Sequence, residues 1–238
     1  HRWRAHGGAR DGETLKKEAG VAACAYVRDG MNVGLGTGST VKYTILELGR
    51  LVQHEGLNIV GVPTSIATRD LANEVGIPLA DLDDLPGLDV VIDGTDEFDP
   101  AFQLIKGGGA ALLREKVVAQ ASKRMVVVAD ERKKVDVLGA FPLPIEITPF
   151  SYGTTKRQIE SVLGCKVSMR KHDGELLRTD NGTHIADAHA GPTITEPEAI
   201  EARLLSLAGV VQVGLFNNMC DVVILATSSG VAVLEKGD

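Results

Sequence analysis

MNVGLGTGSTVKYTILELGR (residues 31–50) runs from a short apolar strand, through three glycines, into a helix. Met31 to Leu35 is apolar at nearly every position, the pattern of a strand buried on both faces. Ser39 or Thr40 then stands near the start of a helix that runs to Arg50. The same beat continues on either side. Leu15 to Arg28 has helical spacing and ends at Asp29-Gly30, Asn58 to Val62 is a strand, and Ile66 to Val75 is a helix stopped by Gly76. Leu88 to Ile92 is a strand, Ala110 to Ala121 a helix and Arg124 to Ala129 a strongly apolar strand. Apolar strands alternating with helices predict a parallel sheet covered on both faces, an α/β fold of Rossmann-like type.

From about residue 141 the rhythm changes. Pro144 to Thr148 reads as a strand, Thr154 to Leu163 as a helix, and Lys166 to Arg170 as a strand. Turns near Asp173-Gly174 and Asn181-Gly182 precede the strand His184 to Ala188. A helix over 196–207 follows, with Thr195 as its expected N-cap, Pro197 in its first turn and Gly209 beyond its end. Val210 to Phe216 closes the series as a strand. Strand, helix, strand, strand, helix, strand is the α+β ferredoxin-like order (βαββαβ). Asp221 to Ala226 is again Val- and Ile-rich, so the chain is expected to return to the first sheet. The expected domains are therefore 11–140 plus 217–238, interrupted by 141–216. Residues 1–10, HRWRAHGGAR, match neither pattern and are expected to be disordered or left over from cloning.

Composition narrows the function. The net charge is -7, so a surface for polyanions is not expected, and neither is nucleic acid as a partner. Aromatic residues are only 4%, too few for base-stacking platforms. No apolar run reaches the roughly 18 residues of a membrane span, so no membrane association is expected. Cys24, Cys165 and Cys220 form no CxxC pair and read as three reduced, buried or half-buried thiols. The protein is expected in the cytoplasm, or in an organelle if the Arg-rich start is a trimmed transit peptide. His54, His172, His184 and His189 have no metal-ligand spacing and read as surface or capping residues.

Four strand-to-helix loops stand where open parallel sheets place ligands. GLGTGST at 34–40 offers backbone amides with Thr37, Gly38, Ser39 and Thr40 at a helix start, an anion site or merely a tight turn. Pro63-Thr64-Ser65 with Thr68 forms a second hydroxyl cluster, in which Ser65, read by itself, is a helix cap. DGTDEFD at 93–99 delivers Asp93, Asp96, Glu97 and Asp99 from an apolar strand. These acids read as a solvated loop, a divalent-cation site or a catalytic carboxylate pair, Asp93 with Asp96. KGGGAALLREK at 106–116 puts Lys106 before Gly107, Gly108 and Gly109, a cradle for a negative oxygen. Glu115, further along, read by itself, is a surface residue beside Lys116 and Lys123.

Taken together, these loops and the strings LGAFPLPIEI at 138–147 and VVQVGLF at 210–216 resemble the ribose-5-phosphate isomerase A family from about Leu15 onward. The resemblance implies an aldose–ketose isomerase of the non-oxidative pentose phosphate pathway. It would interconvert D-ribose 5-phosphate and D-ribulose 5-phosphate with no metal and no organic cofactor. It implies Glu115 as general base, with Lys106, Asp93 and Asp96 as its catalytic companions. Substrate-binding positions are implied at Thr37, Gly38, Ser39 and Thr40, at Asp93, Gly94, Thr95 and Asp96, at Lys106, Gly107, Gly108 and Gly109, and at Lys133. Its partners would be a small sugar phosphate and further copies of itself, as a homodimer or homotetramer. Thr95 stands where the family usually has Ala, and Ala110 where it often has a fourth Gly. The chemistry is consistent: proton abstraction beside a sugar carbonyl needs a carboxylate base and a cation facing the resulting enediolate. Two other readings, a coenzyme A transferase of the same broad superfamily and a non-catalytic sugar-phosphate sensor, lack a bulky nucleotide site and a DNA-reading module respectively.

Overall fold

Six strands form the main sheet in the computed structural model, which describes residues 11–237. The expectation for residues 1–10 lies outside the described residues. Across the sheet the order is Gly230–Glu235, Val222–Thr227, Met125–Asp130, Val90–Asp93, Asn32–Leu35, Val60–Pro63. All neighbours are parallel except the first pair. Val90–Asp93 and Met125–Asp130 are buried at every residue, which is why their sequences are continuous Val and Ile rather than alternating. The sheet is thus the expected Rossmann-like one, and Val222–Thr227 returns to it as the pattern predicts. The edge strand Gly230–Glu235 has no counterpart in the sequence reading. It alternates half-buried and exposed residues, but its exposed positions include Val231 and Val233, so its residue types do not alternate.

Helices pack the sheet through an apolar cluster that includes Leu15, Ala19, Ile45, Leu48, Ile92 and Val128. Helix Gly12–Ala22 begins at Asp11, whose Oδ1 accepts the Thr14 amide at 2.7 Å. It ends earlier than its spacing predicts and tightens into a 3-10 turn, Ala23–Tyr26. Helix Val41–His54 follows the first glycine loop, and Ile66–Glu74 follows the second. Successive strands leave Asn32–Leu35 in opposite directions across the sheet, towards Val60–Pro63 on one side and Val90–Asp93 on the other. The chain therefore has a topological switch point beside the ends of Asn32–Leu35 and Val90–Asp93, the position at which open parallel sheets place ligands.

The second unit holds a four-stranded antiparallel sheet ordered Val210–Val213, Leu143–Ile147, His184–Ala188, Val167–Met169. Helices Tyr152–Leu163 and Pro197–Leu205 supply the crossovers, giving the ferredoxin-like order. Ile145, Ile147, Ile159, Ala186, Leu204 and Val213 fill its core. A hairpin, Lys171–His172 with Glu175–Leu176, turns at Asp173 and Gly174, both at positive φ (51° and 81°).

Four expectations are corrected. The strand expected over 210–216 breaks at Gly214, where a Cβ would stand 2.2 Å from the Lys106 carbonyl oxygen. Beyond the break, Leu215–Phe216 joins a separate sheet with Leu104–Ile105 and Glu97–Phe98. That small sheet is why Thr95–Val117 groups with Lys134–Cys220 in the second unit, and not with the main sheet as the boundaries at 140 and 217 would have it. Thr195 does not cap its helix: the N-cap is Glu196, with no side-chain cap bond. His184 is neither a surface nor a capping residue. It is buried, with Nδ1 2.9 Å from the Leu177 carbonyl oxygen and its ring edge-on to Tyr152. His172 and His189 are exposed, Cys220 is buried, and Cys24 and Cys165 are half-buried. No helix among the described residues is long and apolar enough to cross a membrane.

Glu146 lies buried in the strand Leu143–Ile147, its Oε2 accepting from Thr183 Oγ1 (2.8 Å) and Asn181 Nδ2 (3.2 Å). Burial raises its pKa above the ordinary glutamate value, against the lowering effect of those two bonds. The folded state then holds this proton more tightly than the unfolded chain does. Stability from this group falls as pH rises above the unfolded value. Glu146→Gln is expected to be more stable than the parent at neutral pH, with the advantage shrinking as the pH drops below the glutamate range. Thermal unfolding of both proteins across acid to neutral pH measures this, and an unchanging difference would refute it.

Candidate active site

At the switch point, the first glycine loop and the end of Val90–Asp93 meet. Asp93 is fully buried, and its Oδ1 accepts the amides of Thr37 (3.1 Å) and Gly94 (2.8 Å). This approach requires Gly36: a Cβ there would lie 2.2 Å from Asp93 Oδ1. Gly36→Ala is expected to cost about 1–3 kcal/mol through overpacking and to displace the Asp93 carboxylate. Urea unfolding and turnover, measured on the same protein, check both effects. Thr37 Oγ1 sits within 2.8 Å of Thr64 Oγ1 and Ser65 Oγ and 3.1 Å of Thr68 Oγ1. Ser65 does cap its helix, accepting the Thr68 amide at 3.0 Å, yet it also belongs to this hydroxyl cluster. Gly38 has φ 135° and is exposed with Ser39, while Thr40 is buried at the start of Val41–His54 without a side-chain cap bond. Lys133 is half-buried at the end of a 3-10 turn, Glu131–Lys133, that follows Asp130.

In the second unit the other glycine loop carries the charged pair. Lys106 Nζ lies 2.9 Å from Glu115 Oε2, with side chains only 2% and 4% exposed. Glu115 is therefore not the surface residue its local sequence suggests. Ala110 at φ 60° delays the helix to Leu112–Gln120, which puts Glu115 in the first turn, where the helix dipole favours a carboxylate. The neighbouring Lys116 also points inward. Its Nζ donates to Glu201 Oε2 (2.9 Å), Gln212 Oε1 (2.8 Å) and the Val213 carbonyl (2.7 Å). Burial holds Lys116 below the usual lysine pKa, with Glu201 opposing. Both ammonium groups lie over the Phe216 ring, at 5.5 Å for Lys106 and 4.9 Å for Lys116. The Lys106 backbone is held by the broken strand, its amide donating to the Gly214 carbonyl at 2.8 Å.

In the acidic loop, Glu97 and Asp99 brace the backbone of this unit. Glu97 is buried and accepts the amides of Gly139 and Phe141, each at 2.9 Å. Asp99 Oδ1 accepts the amides of Ala101 (3.0 Å) and Gln103 (2.9 Å), closing a turn. Asp96 is half-buried, its Oδ2 accepting the Gly108 amide at 2.8 Å. Nothing local in the sequence separates these four acids, because the partners of Glu97 lie more than forty residues away. No group of three or more His, Cys, Asp or Glu among the described residues is arranged to hold a metal ion.

The family model for ribose 5-phosphate isomerase A (phosphoriboisomerase A) matches residues 60–230. The chain is 50% identical over 224 residues to ribose-5-phosphate isomerase A of Jannaschia sp. (strain CCS1), covering 92% of this chain and 85% of that protein. It is 49% identical to that of Listeria innocua, covering 93% and 98%. This chain belongs to the ribose 5-phosphate isomerase A family. Solved structures agree. A D-ribose-5-phosphate isomerase in complex with phospho-erythronic acid superposes with a TM-score of 0.91 at 40% identity, covering 95% of this chain and all of that one. The Plasmodium falciparum ribose 5-phosphate isomerase does so with a TM-score of 0.91 at 37% identity, again over 95% and 100%.

Against the isomerase A pattern, the two departures have structural readings. Thr95 Oγ1 lies 2.8 Å from the Glu97 carbonyl and 3.0 Å from that of Ile105, so the hydroxyl spans the small sheet. Ala110 pays for its methyl group with left-handed backbone, φ 60°. Ala110→Gly is expected to raise stability by up to about 1 kcal/mol, since glycine takes that conformation without strain. A lower melting temperature for this variant would contradict the reading.

Proposed function

We propose that this isomerase A chain interconverts D-ribose 5-phosphate and D-ribulose 5-phosphate by proton transfer between carbons one and two, in the non-oxidative pentose phosphate pathway. The observation that carries the reading is the buried Lys106–Glu115 pair at 2.9 Å, beside a glycine loop. A carboxylate kept from water next to a cation is the arrangement an enediolate mechanism needs. Glu115 takes the proton from one carbon and returns it to the other. Lys106 faces the oxygen on which negative charge develops. Asp93 and Asp96 contact the sugar hydroxyls, and each is already aimed by backbone amides, from Thr37 and Gly94 for Asp93 and from Gly108 for Asp96. Gly94, Thr95, Gly107 and Gly109 complete the backbone around the sugar. The amides and hydroxyls of Thr37, Gly38, Ser39 and Thr40, with Lys133, receive the phosphate.

Anchoring the phosphate lets remote binding energy hold the reacting carbons in place. The solved relative bound to phospho-erythronic acid, a phosphorylated sugar acid, supports a site of this class. No step in the mechanism requires a metal, so activity is expected to survive EDTA. Assembly as a homodimer or homotetramer belongs to the same proposal. The test is a coupled assay of ribose 5-phosphate conversion by the purified chain, with and without EDTA. Failure to convert the sugar rejects the function, and loss of activity on chelation rejects the metal-free mechanism.

A further inference from the structure

We propose that Arg170, aligned by Asp187, is a positioning residue for the isomerisation: it clamps the Gly107–Gly108 peptide in the orientation that the site uses. The proposal rests on the isomerase reading above. Arg170 follows the strand Val167–Met169, and Asp187 lies in the neighbouring strand His184–Ala188. Asp187 pairs in register with Ser168, two residues before Arg170, so both side chains emerge on one face of the sheet.

The guanidinium is used on both edges. Nε and Nη2 donate to Asp187 Oδ2 (3.0 Å) and Oδ1 (2.7 Å). Nη1 donates to the carbonyls of Gly107 (2.9 Å) and Gly108 (3.0 Å). The side chains of Arg170 and Asp187 are 17% and 19% exposed, so these bonds are partly shielded from water. A planar fork meets a carboxylate with two parallel donors on one edge and reaches two carbonyls from the other, a fixed geometry that the compact lysine ammonium lacks.

The Gly107 carbonyl and the Gly108 amide belong to one peptide unit. In a trans peptide they point to opposite sides. Arg170 holds the carbonyl end while Asp96 Oδ2 holds the amide end at 2.8 Å. Without the arginine, a Gly–Gly peptide meets little resistance to rotation, because glycine accepts either sign of φ. Rotation would remove the donor that aims Asp96. It would also loosen the backbone directly after Lys106. Gly107 cannot be stiffened by a side chain instead: at φ 115° a Cβ would lie 2.8 Å from both Leu112 and Pro144.

A cavity of about 450 Å³ adjoins the clamp, lined by Phe141, Pro142, Ser168 and His189 as well as by the pair itself. It gives a small cation access to the place of the arginine head group. This makes chemical rescue a usable measurement.

The experiment compares steady-state kinetics of the wild type with Arg170→Ala, Arg170→Lys, Asp187→Asn and a control, Arg203→Ala. Arg203 also donates to a backbone carbonyl in this unit, that of Val162, but far along the chain from the glycine loop. Arg170→Ala is expected to lose kcat by on the order of 10²-fold, the scale of an ångström's misplacement, with a much smaller change in KM. Arg170→Lys should stay impaired, and Asp187→Asn should lose less than either. Millimolar guanidinium chloride should restore part of the kcat of Arg170→Ala and leave Arg203→Ala unchanged. The proposal is overturned if Arg170→Ala turns over like the wild type, if its loss matches only the unfolded fraction seen by circular dichroism, or if the loss lies in KM alone. Should Arg170→Ala fail to fold, the kcat values of Arg170→Lys and Asp187→Asn decide in the same way. An active wild type with an unimpaired clamp variant refutes only this inference, whereas an inactive wild type refutes the isomerase reading as well.

Discussion

Glu115→Gln is expected to reduce ribose 5-phosphate isomerisation by roughly 10²–10⁴-fold, the usual contribution of a positioned general base. The substitution keeps size and one acceptor oxygen but removes the ability to carry a proton between two carbons. Because Glu115 Oε2 lies 2.9 Å from the Lys106 ammonium and both side chains are almost fully buried, the change also touches stability. The amide oxygen still accepts from Lys106, so the loss should stay below the roughly 3–5 kcal/mol of a fully broken buried pair. Kinetics measured well below the melting temperature of the variant separate the two effects. A folded Glu115→Gln protein with wild-type kcat would remove Glu115 from the mechanism.

Lys106→Met is expected to cost more in stability than Glu115→Gln, about 3–5 kcal/mol, because it leaves a buried carboxylate without the adjacent ammonium. Turnover should fall by roughly 10²–10³-fold, as for removal of a preorganised group facing a developing oxyanion. The double variant Lys106→Met with Glu115→Gln tests the coupling. Two neutral side chains should be more stable together than the sum of the single losses predicts, since neither leaves the other as an isolated charge. Urea unfolding of the four proteins gives that coupling directly, and strict additivity would mean that the pair does not interact as its geometry implies.

The parallel sheet was legible because its strands are buried on both faces and so read as unbroken Val and Ile. The ferredoxin-like module was legible because its helices and turns carry local signals, such as Asp173-Gly174 and Pro197. The edge strand Gly230–Glu235 and the small sheet around Glu97–Phe98 and Leu104–Ile105 were not. Two-residue strands are too short to show a period, and the edge strand hides its alternation by placing Val231 and Val233 at exposed positions. Thr195 was a plausible cap by residue type, but the helix begins one residue later than a Thr195 cap requires.

Within the candidate site, the residue types and their loops were written in the sequence. Lys106 before three glycines and Asp93 at the end of an apolar strand are local patterns with a local physical meaning. The roles within those loops were not. Glu97 and Asp99 look like Asp93 and Asp96 until their distant partners, the amides of Gly139 and Phe141 for Glu97 and the closed turn for Asp99, are known. Arg170 lies in no motif at all.

The sequence by itself therefore determined the layered α/β architecture, the inserted module and the loops that carry the chemistry, because each depends on periodicity and turn residues within a few positions. Tertiary structure alone decided that Glu115 is buried against Lys106, that Glu97 braces the distant amides of Gly139 and Phe141, and that Arg170 and Asp187 grip the glycine loop. Burial and hydrogen-bond partnership arise between residues tens of positions apart. They follow from how the strands and helices pack, and a local pattern of residue types holds no record of that.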